Sequence, residues 1–140
     1  MSKKIRGFTL VEILIVIAIL AVLSVVSWSN LNNSKKATDV GNACSQVAAY
    51  INKARNYAVS GNAKSVSVNV TGKEINVSII SSSGANSQEN YMLKGDVSCS
   101  SSSFSYLAPN GVGSNGTIVC SSSNGSNKTV TVTPYQAVCD

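Results

Sequence analysis

One carboxylate lies at the edge of a long apolar run. Glu12 is followed by eleven consecutive apolar residues, at positions 13–23. A charged side chain inside a membrane helix costs about 3 kcal/mol on insertion scales. We therefore expect Glu12 either to meet a positive charge or to extend toward a polar interface. The choice between these two environments for Glu12 bears directly on the function of the chain.

The chain offers little for catalysis. It contains no His, the commonest general base and metal ligand. Its serines therefore lack a histidine to activate them, and its acids show no paired arrangement. Residues 111–116 match the glycine pattern of dinucleotide-binding loops, but a β-like segment follows where a helix is required. We predict that the protein is not an enzyme and needs no cofactor or metal, and an enzyme on a membrane anchor is the least favoured hypothesis.

The apolar run belongs to a segment that is long enough to cross a membrane. Residues 8–28 would form a helix of about 31 Å, close to the hydrocarbon thickness of a bilayer. The cations Lys3, Lys4 and Arg6 precede it, so the N-terminus should stay cytoplasmic. A cleaved signal peptide and a plain single-span anchor both fit these features. Neither explains Glu12.

The residues around Glu12 support a third interpretation. Gly7-Phe8-Thr9-Leu10-Val11-Glu12, after a short basic leader, resembles the processing site of type IV prepilins and pseudopilins. The resemblance implies that a prepilin peptidase cuts between Gly7 and Phe8 and that Phe8 is N-methylated. It also implies that Glu12 is an assembly residue, which neutralises the new amine of a neighbouring subunit. The expected partners are membrane lipid, other pilin or pseudopilin subunits, the peptidase and an assembly platform.

The same resemblance implies a location and a fold. We expect a single-pass protein of the inner (cytoplasmic) membrane with an exported head, which later enters a pilus or pseudopilus at the cell surface. The predicted fold is α+β, a pilin-like lollipop with a long N-terminal helix packed on a small antiparallel sheet. The expected divisions are a leader at 1–7, a transmembrane and assembly helix at 8–28, an amphipathic helix at 29–61 and a β head at 62–140.

Periodicity in the head agrees with that plan. Residues 29–34 read as a loose turn, after which an apolar stripe with helical spacing resumes; its members are Val40, Cys44, Val47, Ile51, Ala54 and Ala58. Gly61 is a stop signal. Alternating residues at 66–70 and 75–79 predict a hairpin, and residues 81–90 a loop. Further strands are expected at 91–94, 104–107, 117–120, 129–133 and 135–139, with polar loops at 100–103 and 121–127.

Four cysteines follow the membrane segment, which is a setting where disulfides form. They are Cys44, Cys99, Cys120 and Cys139. An even number in an exported head predicts two disulfides, and three pairings are open. We favour Cys120–Cys139 with Cys44–Cys99. A zinc site is the alternative, but no two cysteines have CxxC-like spacing.

Two features bear on the role within the family. The segments 104–111, 116–119 and 130–132 resemble the tail of minor pilins and H-type pseudopilins, although Pro134-Tyr135-Gln136-Ala137 stands where that subgroup often has a Gly-Arg turn. From residue 30 onward there are eight Lys or Arg and five Asp or Glu, which is a modest excess of positive charge. An alternative function is therefore DNA binding during uptake, with candidates Lys35, Lys36, Lys53, Arg55, Lys64, Lys73 and Lys128. A solvated basic surface is the simpler explanation of these cations.

Overall fold

The structure, a computed structural model, describes residues 8–140, apart from the side chains of residues 26–29. One helix, α1, covers Leu10–Val59. Residues 29–34, expected as a turn, are helical instead; neither Pro nor Gly occurs between residues 8 and 40 to interrupt the helix. The helix ends just before Gly61, whose φ of 75° is left-handed. The chain divides into two compact units, Met1–Ser34 and Lys35–Asp140.

Eight antiparallel strands follow α1. They are β1 (Ala63–Gly72), β2 (Glu74–Ser81), β3 (Asn86–Met92), β4 (Ser98–Leu107), β5 (Val112–Gly113), β6 (Gly116–Ser121), β7 (Asn127–Val132) and β8 (Ala137–Cys139). The order across the sheet is β3-β2-β1-β4-β6-β7-β8, with β5 paired to β4. The α+β class with a long N-terminal helix and an antiparallel sheet is thus confirmed.

The core of the head forms between α1 and one face of the sheet. All six residues of the predicted helical stripe are at most 1% exposed. They meet the buried positions of the strands, among them Val66, Val68 and Val70 of β1 and Ile75 of β2. These strand residues alternate with polar ones, as the hairpin prediction requires. The hairpin is confirmed, with Val68 opposite Val77.

Two of the predicted loops are partly or wholly strand. The loop expected at residues 81–90 is shorter than predicted, because β3 begins at Asn86 and pairs with β2. Residues 100–103, a run of serines, lie inside β4, where Ser102 pairs with Val70. Serine and asparagine have low intrinsic strand preference, so their sequence gave no strand signal. Pairing with a valine-rich neighbour satisfies their backbone groups and decides the structure.

The glycine pattern at residues 111–116 has a packing explanation. A Cβ on Gly113 would lie 2.3 Å from Cε1 of Tyr106, and a Cβ on Gly116 would lie 2.8 Å from Cε1 of Phe104. Both distances are below any normal contact, so the two aromatic rings of β4 press directly on the glycine backbone. The segment forms β5 and the start of β6, with no helix after it. The glycines therefore make room for the core.

The disulfide pairing differs from the favoured one. Cys44 on α1 is bonded to Cys139 on β8, and Cys99 on β4 is bonded to Cys120 on β6. The preference for Cys120–Cys139 was wrong because β7 lies between β6 and β8. Two strand spacings are about 10 Å, whereas bridged Cα atoms are usually within about 7 Å. Cys99 and Cys120, in contrast, are register partners with Cα atoms 4.0 Å apart.

A polar and aromatic cluster connects the edge strand β3 to α1. The ammonium of Lys53 donates to Oε2 of Glu89 at 3.0 Å and to the hydroxyl of Tyr91 at 3.1 Å. Tyr91 in turn donates to Glu89, and its ring stacks on Tyr50 with centroids 4.0 Å apart. The hydroxyl of Tyr91 and, after it, the ammonium of Lys53 lower the pKa of Glu89 below its ordinary value of 4.5.

The two disulfides should differ in what they contribute. They separate their cysteines by 95 and 21 residues. Chain-entropy arguments give about 5 kcal/mol for the long loop and about 3 kcal/mol for the short one. We expect C44A/C139A to lower the free energy of unfolding more than C99A/C120A does, measured by denaturant titration of the full chain in detergent. Equal losses from the two variants would contradict the loop-length argument.

The Glu89 cluster should make stability depend on pH. Because the pKa of Glu89 is lower in the folded chain, its contribution is present above about pH 4.5 and is lost as the pH falls through the folded pKa. Since Glu89 is partly exposed, E89Q should lower the free energy of unfolding by less than about 1 kcal/mol at neutral pH. The difference from wild type should vanish in acid. E74Q, on β2, is the matched control, and an E89Q effect that persists unchanged in acid would contradict the assignment.

Candidate processing and assembly site

The first turn of α1 places Glu12 in a local hydrogen-bonded cap. Oε2 of Glu12 accepts from the backbone N–H of Thr9 at 3.1 Å and lies 3.1 Å from the Thr9 hydroxyl. The backbone N–H of Glu12 donates to the same hydroxyl oxygen at 3.3 Å. Because α1 begins at Leu10, Thr9 is the N-cap and Glu12 the third helical residue, which is a capping box.

This cap was not anticipated from the sequence, although a signal was present. A Thr followed three residues later by a Glu, directly before an apolar run, is the usual capping-box pattern. The capping box gives Glu12 a structural role, which is to cap the N-terminus of α1, in addition to any role in assembly. The carboxylate also suits the positive end of the helix dipole, where the first N–H groups of α1 have no helical acceptor. Phe8, the residue expected to be methylated, is 82% exposed, while Gly7 lies outside the described residues.

The segment after the cap presents a nearly uniform apolar surface. Its described large apolar side chains, from Phe8 to Val25, are 48–82% exposed. Ser24 is the polar exception, and its hydroxyl donates to the carbonyl oxygen of Leu20 at 2.7 Å. That bond satisfies the hydroxyl within the helix, as a nonpolar environment requires. Among the described residues there is one helix, α1, whose length and composition allow it to cross a membrane.

The cations named as DNA-binding candidates are spread over the head. Lys36 donates to the hydroxyl of Ser123 at 2.8 Å and lies 3.5 Å from a carboxylate oxygen of Asp96. Lys53 belongs to the Glu89 cluster, and Lys73 donates to the carbonyl oxygen of Gly95 at 3.0 Å. Lys36 and Lys53 are about 26 Å apart along α1. Three of the candidates are thus engaged within the chain, and DNA binding stays a prediction.

The remaining candidates are distributed over α1, β1 and β7. Lys35 lies on α1, Lys64 on β1 and Lys128 on β7, all exposed. Arg55 is only partly exposed, and its Nε is buried without a hydrogen-bond partner. Its positive charge partly offsets the rise in the pKa of Tyr106 that burial causes. Arg55 therefore belongs to the packing of the head more than to its surface.

The comparisons with known proteins point to the N-terminal segment. A family model described as the prokaryotic N-terminal methylation motif matches residues 2–28. No curated protein and no solved structure matches the chain. The matched residues include the basic leader, the capping box and the exposed apolar surface, and they fit a membrane-anchored, structural subunit. The chain therefore carries, over residues 2–28, the N-terminal methylation signal of type IV prepilins.

Proposed function

We propose that the chain is a minor pilin or pseudopilin. A prepilin peptidase removes Met1–Gly7 and methylates Phe8, and the mature subunit enters a type IV pilus or a type II secretion pseudopilus through its apolar helix. The single observation that carries the proposal is the match of the methylation motif to residues 2–28. The tail resemblance supports the minor or initiating role.

The exposed apolar surface of α1 supports assembly through helix packing. Side chains that are 48–82% exposed need a nonpolar surrounding, either lipid or the helices of sister subunits. Moving from the bilayer into a bundle exchanges one nonpolar contact for another, so no apolar surface has to meet water. Packing between small and branched side chains then supplies the attraction. The described part of α1 from Leu10 to Val25 contains one charged residue, Glu12.

Glu12 gives the packed helices a preferred register. Cleavage before Phe8 creates a positive amine, and a buried carboxylate is costly unless such a charge is near. The carboxylate is held by Thr9 in the present structure, with one of its oxygens, Oε2, used in the cap. A carboxylate has acceptor capacity for further donors. It is therefore able to keep the cap and still receive the amine of a neighbouring subunit.

The processed N-terminus is the most direct test. Mass spectrometry of the protein from its native membrane should find a chain that begins at Phe8 and carries one added methyl group. The leader peptide of residues 1–7 should be absent from the mature protein. A functional population that retains Met1, or that begins at Phe8 without the methyl group, would contradict the proposed processing.

A pair of variants separates the two roles of Glu12. E12Q removes the charge but keeps a side chain that is suited to the capping box. T9V keeps the charge and removes the capping hydroxyl. We expect E12Q to reduce incorporation into fibres at least tenfold, and T9V to have a much smaller effect. The measurement is the ratio of subunit in sheared fibres to subunit in membranes.

E74Q, the same substitution on β2, is the control and should leave incorporation unchanged. Equal defects in E12Q and T9V would mean that the cap, and not charge neutralisation, is what assembly requires. Normal incorporation of E12Q would contradict the register argument altogether. The mass of the N-terminus should be measured for each variant, so that a processing defect is not read as an assembly defect.

A further inference from the structure

The outward face of the sheet carries an ordered array of uncharged polar side chains. Across β3, β2, β1 and β4, the register aligns one row of Asn90, Asn76, Asn69 and Ser103. The adjacent row consists of Gln88, Ser78, Ser67 and Ser105. We refer to these eight residues as the polar face. Their opposite side, the inner face of the same strands, packs on α1.

The hydrogen-bonding groups of the polar face are free. Among the described residues, none of these eight side chains has a hydrogen-bond or ion-pair partner within the chain, and all are exposed or half-exposed. None of the eight carries a charge. The two rows therefore present amide and hydroxyl groups on a grid of about 4.8 Å by about 6.7 Å, the spacings of a β-sheet.

Folding alone does not explain this composition. Asparagine is depleted in strands, yet three asparagines stand side by side at Asn90, Asn76 and Asn69. Threonine would satisfy the same solvent-facing positions at lower cost. The register of β1 with β4 shifts between Val70 and Gly72, beside this row. A depression of about 330 Å³ lies there, and Asn69, Thr71, Ser101 and Ser103 are among its lining residues.

The chemistry of the face selects the class of ligand. Amides and hydroxyls both donate and accept hydrogen bonds, as the hydroxyls of a neutral sugar do. Nucleic acid requires cations, which the polar face lacks. Protein interfaces favour aromatic residues, Met and Arg at their centre, and none stands in either row. The row beyond the serines supplies apolar contact for sugar C–H groups, since Ile80 and Leu107 are 40% and 64% exposed. The row beyond the asparagines contains Glu74 and Met92, which border the polar face without belonging to it.

The shape selects a polymer over a single sugar. Small-molecule sites are concave and enclose most of their ligand, whereas the polar face extends over four strands, about 14 Å. We propose that the polar face binds a neutral polysaccharide. This inference goes beyond fibre assembly and does not depend on it, because all eight residues belong to the unit Lys35–Asp140.

The test is a sedimentation assay with the full chain in detergent micelles. The probes are amorphous cellulose and colloidal chitin, and immobilised heparin is the anionic comparison. Wild type should bind at least one neutral polymer, with an affinity that changes less than twofold between 0.1 and 1 M NaCl, because neither the polymer nor the eight residues of the polar face carry a charge. N69A/N76A should weaken that binding about tenfold, as the loss of two hydrogen bonds implies.

Matched variants locate the effect. N56A/N62A removes two exposed amides from the end of α1 and the segment after it, and should bind like wild type. S67A/S78A, in the adjacent row, should also weaken binding. Because all the substituted side chains face solvent, each variant should unfold at the same midpoint temperature as wild type. The proposal fails if wild type binds neither neutral polymer, if it binds heparin alone, or if N56A/N62A loses as much affinity as N69A/N76A.

Discussion

The head depends on the contact between one face of α1 and the inner face of the sheet. The helix supplies small and medium side chains such as Cys44, Val47 and Ala54, and the strands supply valines and isoleucines. Burying each large side chain contributes about 1.5–3 kcal/mol, so this contact is the main source of stability. A sheet with one apolar face and a helix with one apolar stripe each require the other.

Polar interactions at the edges of that contact attach the outer strands of the sheet to α1. Lys53 and Glu89 attach the edge strand β3 to the helix, and Asn52 bonds both backbone groups of Ala137 at 2.9 Å, which fixes the last strand. The two disulfides reinforce the same arrangement, one across the sheet and one between helix and C-terminus. Glu12 is different, because it lies on the exposed apolar segment, where its carboxylate accepts hydrogen bonds from Thr9.

Much of the fold could be predicted because its signals are local. The helical stripe ending at Ala58, the stop at Gly61 and the valine alternation of β1 follow from hydrophobic periodicity and from glycine conformation. The features that were missed are non-local. The serines of β4 and the start of β3 become strand through pairing with neighbours, and the disulfide partners depend on which strands lie between the cysteines.

The functional features also divide into those that consecutive residues predict and those that depend on strand pairing. The motif around Phe8 and Glu12 could be recognised from consecutive residues, as could the capping box, which was overlooked. The polar face could not be predicted, because it arises only when β1 to β4 come into register and align their solvent-facing positions. The sequence is rich in Ser and Asn, and strand pairing aligns some of these side chains in rows on one surface.

The Cys44–Cys139 bond has a mechanical consequence. It joins α1 to β8, the strand at one edge of the sheet. When tension acts between the start of α1 and the end of β8, the load passes through this covalent link and bypasses residues 45–138. The strands and their hydrogen bonds then carry no force along that axis. A head that is pulled at α1 and at β8 should keep its sheet intact under a load that would unfold the reduced chain.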